Sequence, residues 1–322
     1  MVDEEAMGTM RRRGASPTRV TRAPRGEELE LSTEPSPRGV LGGSEGRDDE
    51  HLIARRVRST VKYLARSVVP APPDQRRVVL IFGCQRSGTT MLQQTLFDRS
   101  WRVFILEEHD RRLVGDDPDP EETDWEEDDV VFRRIHRLPF EVVAVKPLVE
   151  SYRASELVRA AGQASGIWML RHYLDVARSN LKRFGLGNAH RDLEPFKSPD
   201  SGDWRCRGAT AETRQTVNEL LREGLEPLDA AALFWWTRNT LYFDQHLQED
   251  ERIKVLRYER VGSRPEDVIR SLSDYIGVSL PTHSTVHRIR TRQAEDVVNE
   301  LHPSVEELCG RMWEAFEGCP EL

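Results

Sequence analysis

Residues 78–92 read VVLIFGCQRSGTTML: an apolar run, a loop bounded by glycines, and a return to apolar spacing. The unbroken apolar character of residues 78–82 predicts a strand buried on both faces. Gly83 and Gly88 stand at the spacing of the two glycines in G-x-x-x-x-G-K-[ST], the strand–loop–helix unit that turns backbone N–H groups toward a phosphate. Where nucleotide hydrolases and kinases carry lysine after the second glycine, this chain has Thr89. The stretch therefore predicts an anion loop working without that lysine.

The rest of the chain alternates around this unit. Further continuous apolar runs at 103–106, 142–145, 167–170 and 253–256 predict strands, and helical spacing recurs at 51–69, 90–97, 151–161, 173–184 and 229–247. Strands alternating with helices predict an α/β fold with a mostly parallel sheet covered on both faces. Ligands of such sheets bind beyond the carboxyl ends of the strands. At those ends lie the Gly83–Gly88 loop, Lys146 in EVVAVKP and Arg171 in GIWMLRHYLDVARS, so positive charge is delivered to one rim. Such a rim suits a ligand with several negative groups.

Several chemistries are excluded or weakened by the same residues. An Mg²⁺-dependent NTPase needs an acid after a strand; Glu107 or Glu108 after VFIL is the candidate, unconvincing without the loop lysine. Position 90 is threonine, so Cys84 lacks the arginine six positions on that a cysteine phosphatase needs. Ser87 sits in QRSGT and not in the G-x-S-x-G nucleophile elbow. A metal site from Glu107, Glu108, His109 and Asp110 is disfavoured because four adjacent residues do not easily converge on one ion.

Composition sets the outer limits. The chain has 322 residues and a net charge of −8, enough for one sizeable core and short of the basic footprint of a nucleic-acid binder. No apolar run approaches the roughly 20 residues of a membrane span. The first residues lack the apolar core of a secretory signal, and the four cysteines (84, 206, 309, 319) show no C-x-x-C pairing, so a cytoplasmic protein with free thiols is expected. Residues 1–49 are rich in Pro, Gly, Ser, Glu and Arg and predict a disordered tail. Its Arg11–Arg25 segment holds six arginines and no acid, a charge an anionic surface could attract. Residues 50–322 are expected to form one domain.

With these residues in hand a family resemblance emerges. GCQRSGTTML resembles the 5′-phosphosulfate loop of the sulfotransferases that use 3′-phosphoadenosine 5′-phosphosulfate (PAPS), and LRHYLDVARSN resembles their 3′-phosphate motif, with Arg171 at a strand end and Ser179 eight positions later. VKP is similar to the family's lysine-proline strand end, and VLRYERV to its late strand followed by Tyr258 and Glu259. The likeness spans about residues 76–262, and the arginine of RSGTT is closest to the tyrosylprotein, carbohydrate and bacterial branches. The resemblance also explains the missing lysine. That lysine bridges the outer phosphates of a triphosphate, whereas PAPS carries its sulfuryl group on a single 5′-phosphate.

The resemblance implies a P-loop-like three-layer sandwich and metal-independent, in-line transfer of a sulfuryl group from PAPS to a hydroxyl or amine. The acceptor would be a small molecule, glycan or peptide. Arg86, Ser87, Gly88, Thr89, Thr90, Arg171, Ser179 and Tyr258 would hold PAPS, and Arg86 and Lys146 would stabilise charge on the transferring and leaving oxygens. The base for the acceptor proton would be Glu108, then Glu107, then His109. Of Arg288, Arg290 and Arg292, one would reach the 3′-phosphate.

Other readings stay open on the residues: a P-loop nucleotide or nucleoside kinase, or a catalytically silent nucleotide-binding protein. Arg171 could instead pair structurally with Asp175, Ser179 could be a plain helix-face residue, Lys146 could be a surface lysine, and Glu107 and Glu108 could be a solvated acidic strand end. The acidic run 116–129 reads as a solvated loop, or as a rim favouring neutral or cationic acceptors. Phe234, Trp235, Trp236, Tyr242 and Phe243 read as core, and residues 185–210 as a long polar insert contributing substrate contacts.

Overall fold

The computed structural model describes residues 45–115, 125–281 and 301–322 of the chain. All five apolar runs are strands: β1 Arg77–Gly83, β2 Val103–Leu106, β3 Val142–Val145, β4 Ala164–Leu170 and β5 Ile253–Arg257. They pair in parallel in the order β2-β3-β1-β4-β5. The connection leaving β1 runs toward β2 and that leaving β4 toward β5, so the strand order reverses between neighbours β1 and β4. A crevice opens at such a switch point, at the carboxyl ends of the two strands.

The helices begin with α1 Glu45–Val68 and α2 Thr89–Met91, the latter continued by a π-helix at Leu92–Phe97. Next come α3 Arg111–Val114, α4 Asp128–His136, α5 Ala154–Ala160, α6 Tyr173–Phe184 and α7 Leu186–Leu193. The series ends with α8 Ala211–Glu223, α9 Pro227–Asp244, α10 Tyr258–Ser263, α11 Pro265–Ile276 and α12 Pro303–Ala315. Successive side chains of a strand point to opposite faces. Val78, Leu80 and Phe82 accordingly join Trp168 and the α9 residues in one core, while Val79 and Ile81 join Met169 and the α11 residues in the other. This is the three-layer α/β sandwich that the alternating pattern predicts.

Helix α9 is apolar around most of its circumference because it is surrounded: it packs against α6, α7 and α12. Phe234, Trp235, Trp236 and Tyr242 are buried, as expected, and Glu226 and Asp229 form a capping box at its start. Asp229 also accepts from the His302 backbone N–H at 2.8 Å, fixing the approach to α12.

Two expectations are corrected here. Residues 185–210 are not a polar loop. They contain α7 and a 3-10 turn at Glu194–Lys197, with Ala189, Leu193, Phe196 and Cys206 buried; short helical periods separated by glycine and proline hide this amphipathic pattern. The acidic run is also more than a solvated loop. Residues 116–124 lie outside the described residues, but Trp125 is buried, Glu126 pairs with Arg134 at 2.5 Å, and Asp128 opens α4 and pairs with Arg153 at 2.8 Å.

Helix α1 reverses the usual amphipathic logic. Its Lys62 is buried and donates to the Asp98 carbonyl at 3.0 Å, and Arg58 pairs with the Asp98 carboxylate at 2.7 Å. Val57, Leu64 and Val68 are 57%, 62% and 81% exposed. Apolar spacing identified the helix without revealing which face docks. It begins at Glu45, inside the stretch read as tail, and residues 1–44 lie outside the described residues. Among the described residues no helix is long and apolar enough to cross a membrane.

Candidate functional site

The crevice between β1 and β4 is filled by the loop of residues 83–88. Gly83 has φ +122°, and a Cβ there would lie 2.6 Å from the Met169 carbonyl oxygen of β4. Gly88 has φ +96°, and a Cβ would lie 2.4 Å from the Tyr258 ring. Both glycines thus combine a conformation that side chains disfavour with a close approach that excludes one. Between them Arg86 itself adopts φ +69°. Such a conformation in a residue with a Cβ persists only where its surroundings hold it.

Those surroundings are the second basic strand end. Arg86 Nε donates to Ser179 Oγ of α6 at 3.1 Å, and Arg171 donates to the Arg86 carbonyl at 3.5 Å. Reduced hydration, then the charges of Arg183 and Arg171, hold the Arg86 guanidinium below the usual arginine range. The Arg171 guanidinium lies 4.5 Å from the centre of the Tyr258 ring and 3.5 Å from Asp175. The ion pair expected as an alternative therefore coexists with the contact to the loop. The Trp235 indole donates to the Arg171 carbonyl at 3.0 Å, and Glu259 accepts from the His172 N–H at 2.9 Å, anchoring the turn into α6.

Two buried donors at this rim are left over. Ser87 Oγ and Arg171 Nε are buried without a hydrogen-bond partner among the described residues. An unsatisfied buried donor costs about 1–3 kcal/mol. Both sit at the rim where the sequence places an anion, so an anionic acceptor fits the groups present.

The opposite wall comes from β2 and β3. Lys146 is 9% exposed, pairs with Glu107 at 3.0 Å and donates to Thr90 Oγ1 at 3.3 Å, which places it against the start of α2 and not on an open surface. Glu108 turns the other way: its Oε1 accepts from the Leu148 N–H at 2.7 Å and the Val149 N–H at 3.3 Å. Burial pushes the Glu108 carboxyl above its ordinary range despite Lys146 and these two N–H donors. His109 is exposed. Cys84 is buried, and that burial pushes its thiol up to about 12, consistent with exclusion of a thiolate nucleophile.

The structure thus gathers Arg86, Ser87, Gly88, Thr89, Thr90, Lys146, Arg171, Ser179 and Tyr258 around one loop, with Glu107 on Lys146 and Glu108 turned onto the Leu148 and Val149 amides. Arg288, Arg290 and Arg292 lie outside the described residues. Sequence reasoning missed Arg183, although it stands one helical turn beyond Ser179. It also missed Gln85 and Asp192, whose pairing bridges distant segments and leaves no local signal. Among the described residues, no group of three or more His, Cys, Asp or Glu is arranged to hold a metal ion.

No family model and no curated protein matches this chain. Among solved structures it is similar to a sulfotransferase from Alicyclobacillus acidocaldarius, at 18% identity and a TM-score of 0.43, over 74% of this chain and 92% of that one. It is also similar to the sulfotransferase domain of the Synechococcus PCC 7002 olefin synthase, at 14% identity and a TM-score of 0.43, over 74% of this chain and 94% of that one. A third likeness is to the sulfotransferase domain of the curacin biosynthetic pathway, at 14% identity and a TM-score of 0.39, over 66% and 76% of the two chains. Similarity at this level says nothing about chemistry, which the side chains have to carry.

Proposed function

We propose that this chain is a sulfotransferase that moves a sulfuryl group from PAPS to a hydroxyl or amine of an acceptor. The observation that carries the reading is the convergence of two motifs distant in sequence. The loop arginine, Arg86, is hydrogen-bonded to Ser179 of the Arg171–Ser179 motif, and Arg171 reaches back to the loop. The unpartnered Ser87 hydroxyl and Arg171 Nε support it, since both can donate to the oxygens of a phosphate.

PAPS supplies an activated sulfuryl group on its 5′-phosphate. In this reading the loop amides, the Thr89 and Thr90 hydroxyls and the Arg86 guanidinium hold that phosphate, and Arg171 and Ser179 read the 3′-phosphate, with Tyr258 supporting Arg171. Lys146, held by Thr90, places a compact charge beside the reacting group, as preorganised electrostatic stabilisation requires. Glu108 takes the acceptor proton. Its burial favours the neutral acid, and so makes the carboxylate a stronger base than an exposed one. Glu107 tethers Lys146, and His109 is third in line for the base.

Calorimetry tests the reading directly. The chain should bind adenosine 3′,5′-bisphosphate in preference to ATP with Mg²⁺, and labelled PAPS should transfer its label to a member of an acceptor panel spanning small molecules, glycans and peptides. Preference for ATP with Mg²⁺ would favour a kinase; bisphosphate binding with no transfer to any acceptor would favour a silent binding protein.

A further inference from the structure

We propose that Asp192 is a positioning residue for the anion loop, acting through Gln85. The role rests on the reading of residues 83–88 as the loop that grips the 5′-phosphate. It concerns residues outside the motifs that suggested that reading.

Asp192 is 2% exposed, near the end of α7. Its Oδ2 accepts from Gln85 Nε2 at 3.2 Å and from Asn188 Nδ2 at 2.8 Å, and its Oδ1 accepts from Arg205 Nε at 2.9 Å. Asn180 of α6 is a further hydrogen-bond partner, so the carboxylate is engaged by donors from four segments. One of those donors, Gln85, belongs to the loop and directly precedes Arg86.

The consequence lies in the backbone. A left-handed conformation costs a residue with a Cβ roughly 1–2 kcal/mol. Released, Arg86 would relax toward a right-handed conformation and swing its guanidinium away from Ser179. The Ser179 bond holds only the Arg86 side chain, the Arg171 bond to its carbonyl is long, and the turn bond from the Ser87 N–H to the Cys84 carbonyl is 3.3 Å, so Gln85–Asp192 adds a side-chain anchor to a weakly closed turn. The Gln85–Asp192 bond is charge-assisted and restrains the residue just before the turn.

The anchor is itself rigid. Ala189 and Leu193 of α7 are buried in the core that includes α9, and Arg205 also pairs with Asp203 at 3.1 Å. Arg238 of α9 donates to the Trp204 carbonyl at 3.1 Å, pinning the far end of the segment. Residues 186–210 therefore brace the loop from outside the sheet.

Three variants test the latch, with thermal unfolding monitored in each. Gln85→Ala removes the bond and leaves Asp192 with Arg205, Asn188 and Asn180. Gln85→Glu sets two carboxylates against each other. In Gln85→Glu with Asp192→Asn, the new carboxylate accepts from the new amide and the link is restored with donor and acceptor exchanged. The first readout is hydrogen exchange of the residue 84–88 amides in the free protein; the second is the affinity for adenosine 3′,5′-bisphosphate.

Gln85→Ala should speed loop exchange and weaken the bisphosphate about 10-fold, the order of one lost hydrogen bond to a charged group. Gln85→Glu should lose more at pH 8 than at pH 5, where the facing carboxylates share a proton. The double variant should return to within about 3-fold of wild type, a rescue that lost packing alone does not give. Loop exchange unchanged in both single variants overturns the latch whatever the nucleotide does. If loop exchange responds as described across the variants but the wild type binds no bisphosphate, the sulfuryl-transfer reading is overturned and the latch stands.

Discussion

Arg86 Nε lies 3.1 Å from Ser179 Oγ, a hydrogen bond between residues 93 positions apart that joins the first strand's loop to the helix after the fourth strand. It places a fixed positive charge where the two motifs meet. Replacing Arg86 by alanine should lower turnover about 10²–10³-fold, the usual cost of a preorganised donor, and weaken nucleotide binding far less. Steady-state kinetics beside calorimetry separate the two effects. Near-normal turnover in Arg86→Ala removes the residue from the chemistry.

Lys146→Ala should be similarly damaging, and Lys146→Arg should rescue only in part, because a planar fork does not place charge as an ammonium does. The Thr90 bond supplies a second check. Thr90→Val frees the lysine from one of its two partners and should give a smaller loss of the same kind.

Glu108→Gln keeps the shape of the side chain and its acceptor for Leu148 and Val149, but removes the basic carboxylate. Turnover should fall about 10²–10⁴-fold with nucleotide affinity retained. If Glu107→Gln or His109→Ala shows that pattern instead, the base has been assigned to the wrong neighbour. Stability gives an independent signal. Because the folded-state pKa is raised by burial, the wild-type carboxyl contributes stability at low pH that is lost as pH rises through that folded value. The melting temperature of Glu108→Gln relative to wild type should therefore climb between pH 4 and 8, and a flat difference contradicts the buried environment.

Arg171 and Ser179 should discriminate PAPS from adenosine 5′-phosphosulfate, which lacks the 3′-phosphate. Loss of a charge-assisted bond worth roughly 1.5–3 kcal/mol weakens PAPS about 10- to 150-fold and should leave the precursor nearly unchanged. The measurement is the ratio of the two affinities in wild type, Arg171→Ala and Ser179→Ala. An unchanged ratio in both would detach this motif from the phosphate.

Lys62 tests how α1 is docked. Burial lowers its pKa to about 8 from 10.5, against the pull of Asp98. Between those values the unfolded chain holds the extra proton, so stability should rise with pH across that window. The stability of Lys62→Met relative to wild type should therefore be highest below pH 8 and should fall as pH rises toward 10.5. A difference independent of pH would mean that the lysine is solvated.

Sequence carried the sheet and the loop, and missed what is held together across it. Residues 78–82 and 167–170 are continuous apolar runs because both faces of each strand are covered, a local property of the chain. Gly83 and Gly88 were legible because left-handed backbone leaves a mark in residue type. The Gln85–Asp192 bond leaves none, since any polar residue in a loop looks alike until its partner is known. The docking face of α1 was hidden for a related reason: it uses Arg58 and Lys62 on Asp98 and the Tyr63 ring on Phe104 and Phe140, while Val57, Val61 and Leu64 are exposed, so apolar periodicity does not mark it. Helix α7 escaped because its eight residues are too short for a period to stand out.

The contact between Gly88 and the Tyr258 ring has a consequence for how the protein is made. The anion loop leaves the ribosome early, but the ring that closes over it comes 170 positions later. Until β5 docks on β4, Gly88 lies open, Arg171 has no ring beneath it, and the N–H of His172 lacks the carboxylate of Glu259. A nascent chain stopped short of residue 258 would carry the whole loop sequence and still lack the site. The pocket is thus assembled late, from contacts of long sequence separation that cannot form before their entropy of closure is met. If residues 83–88 grip an anion as proposed, affinity for it should report the completeness of the sheet, and a chain that fails to seat its last strand should be as inactive as one that has lost Arg86.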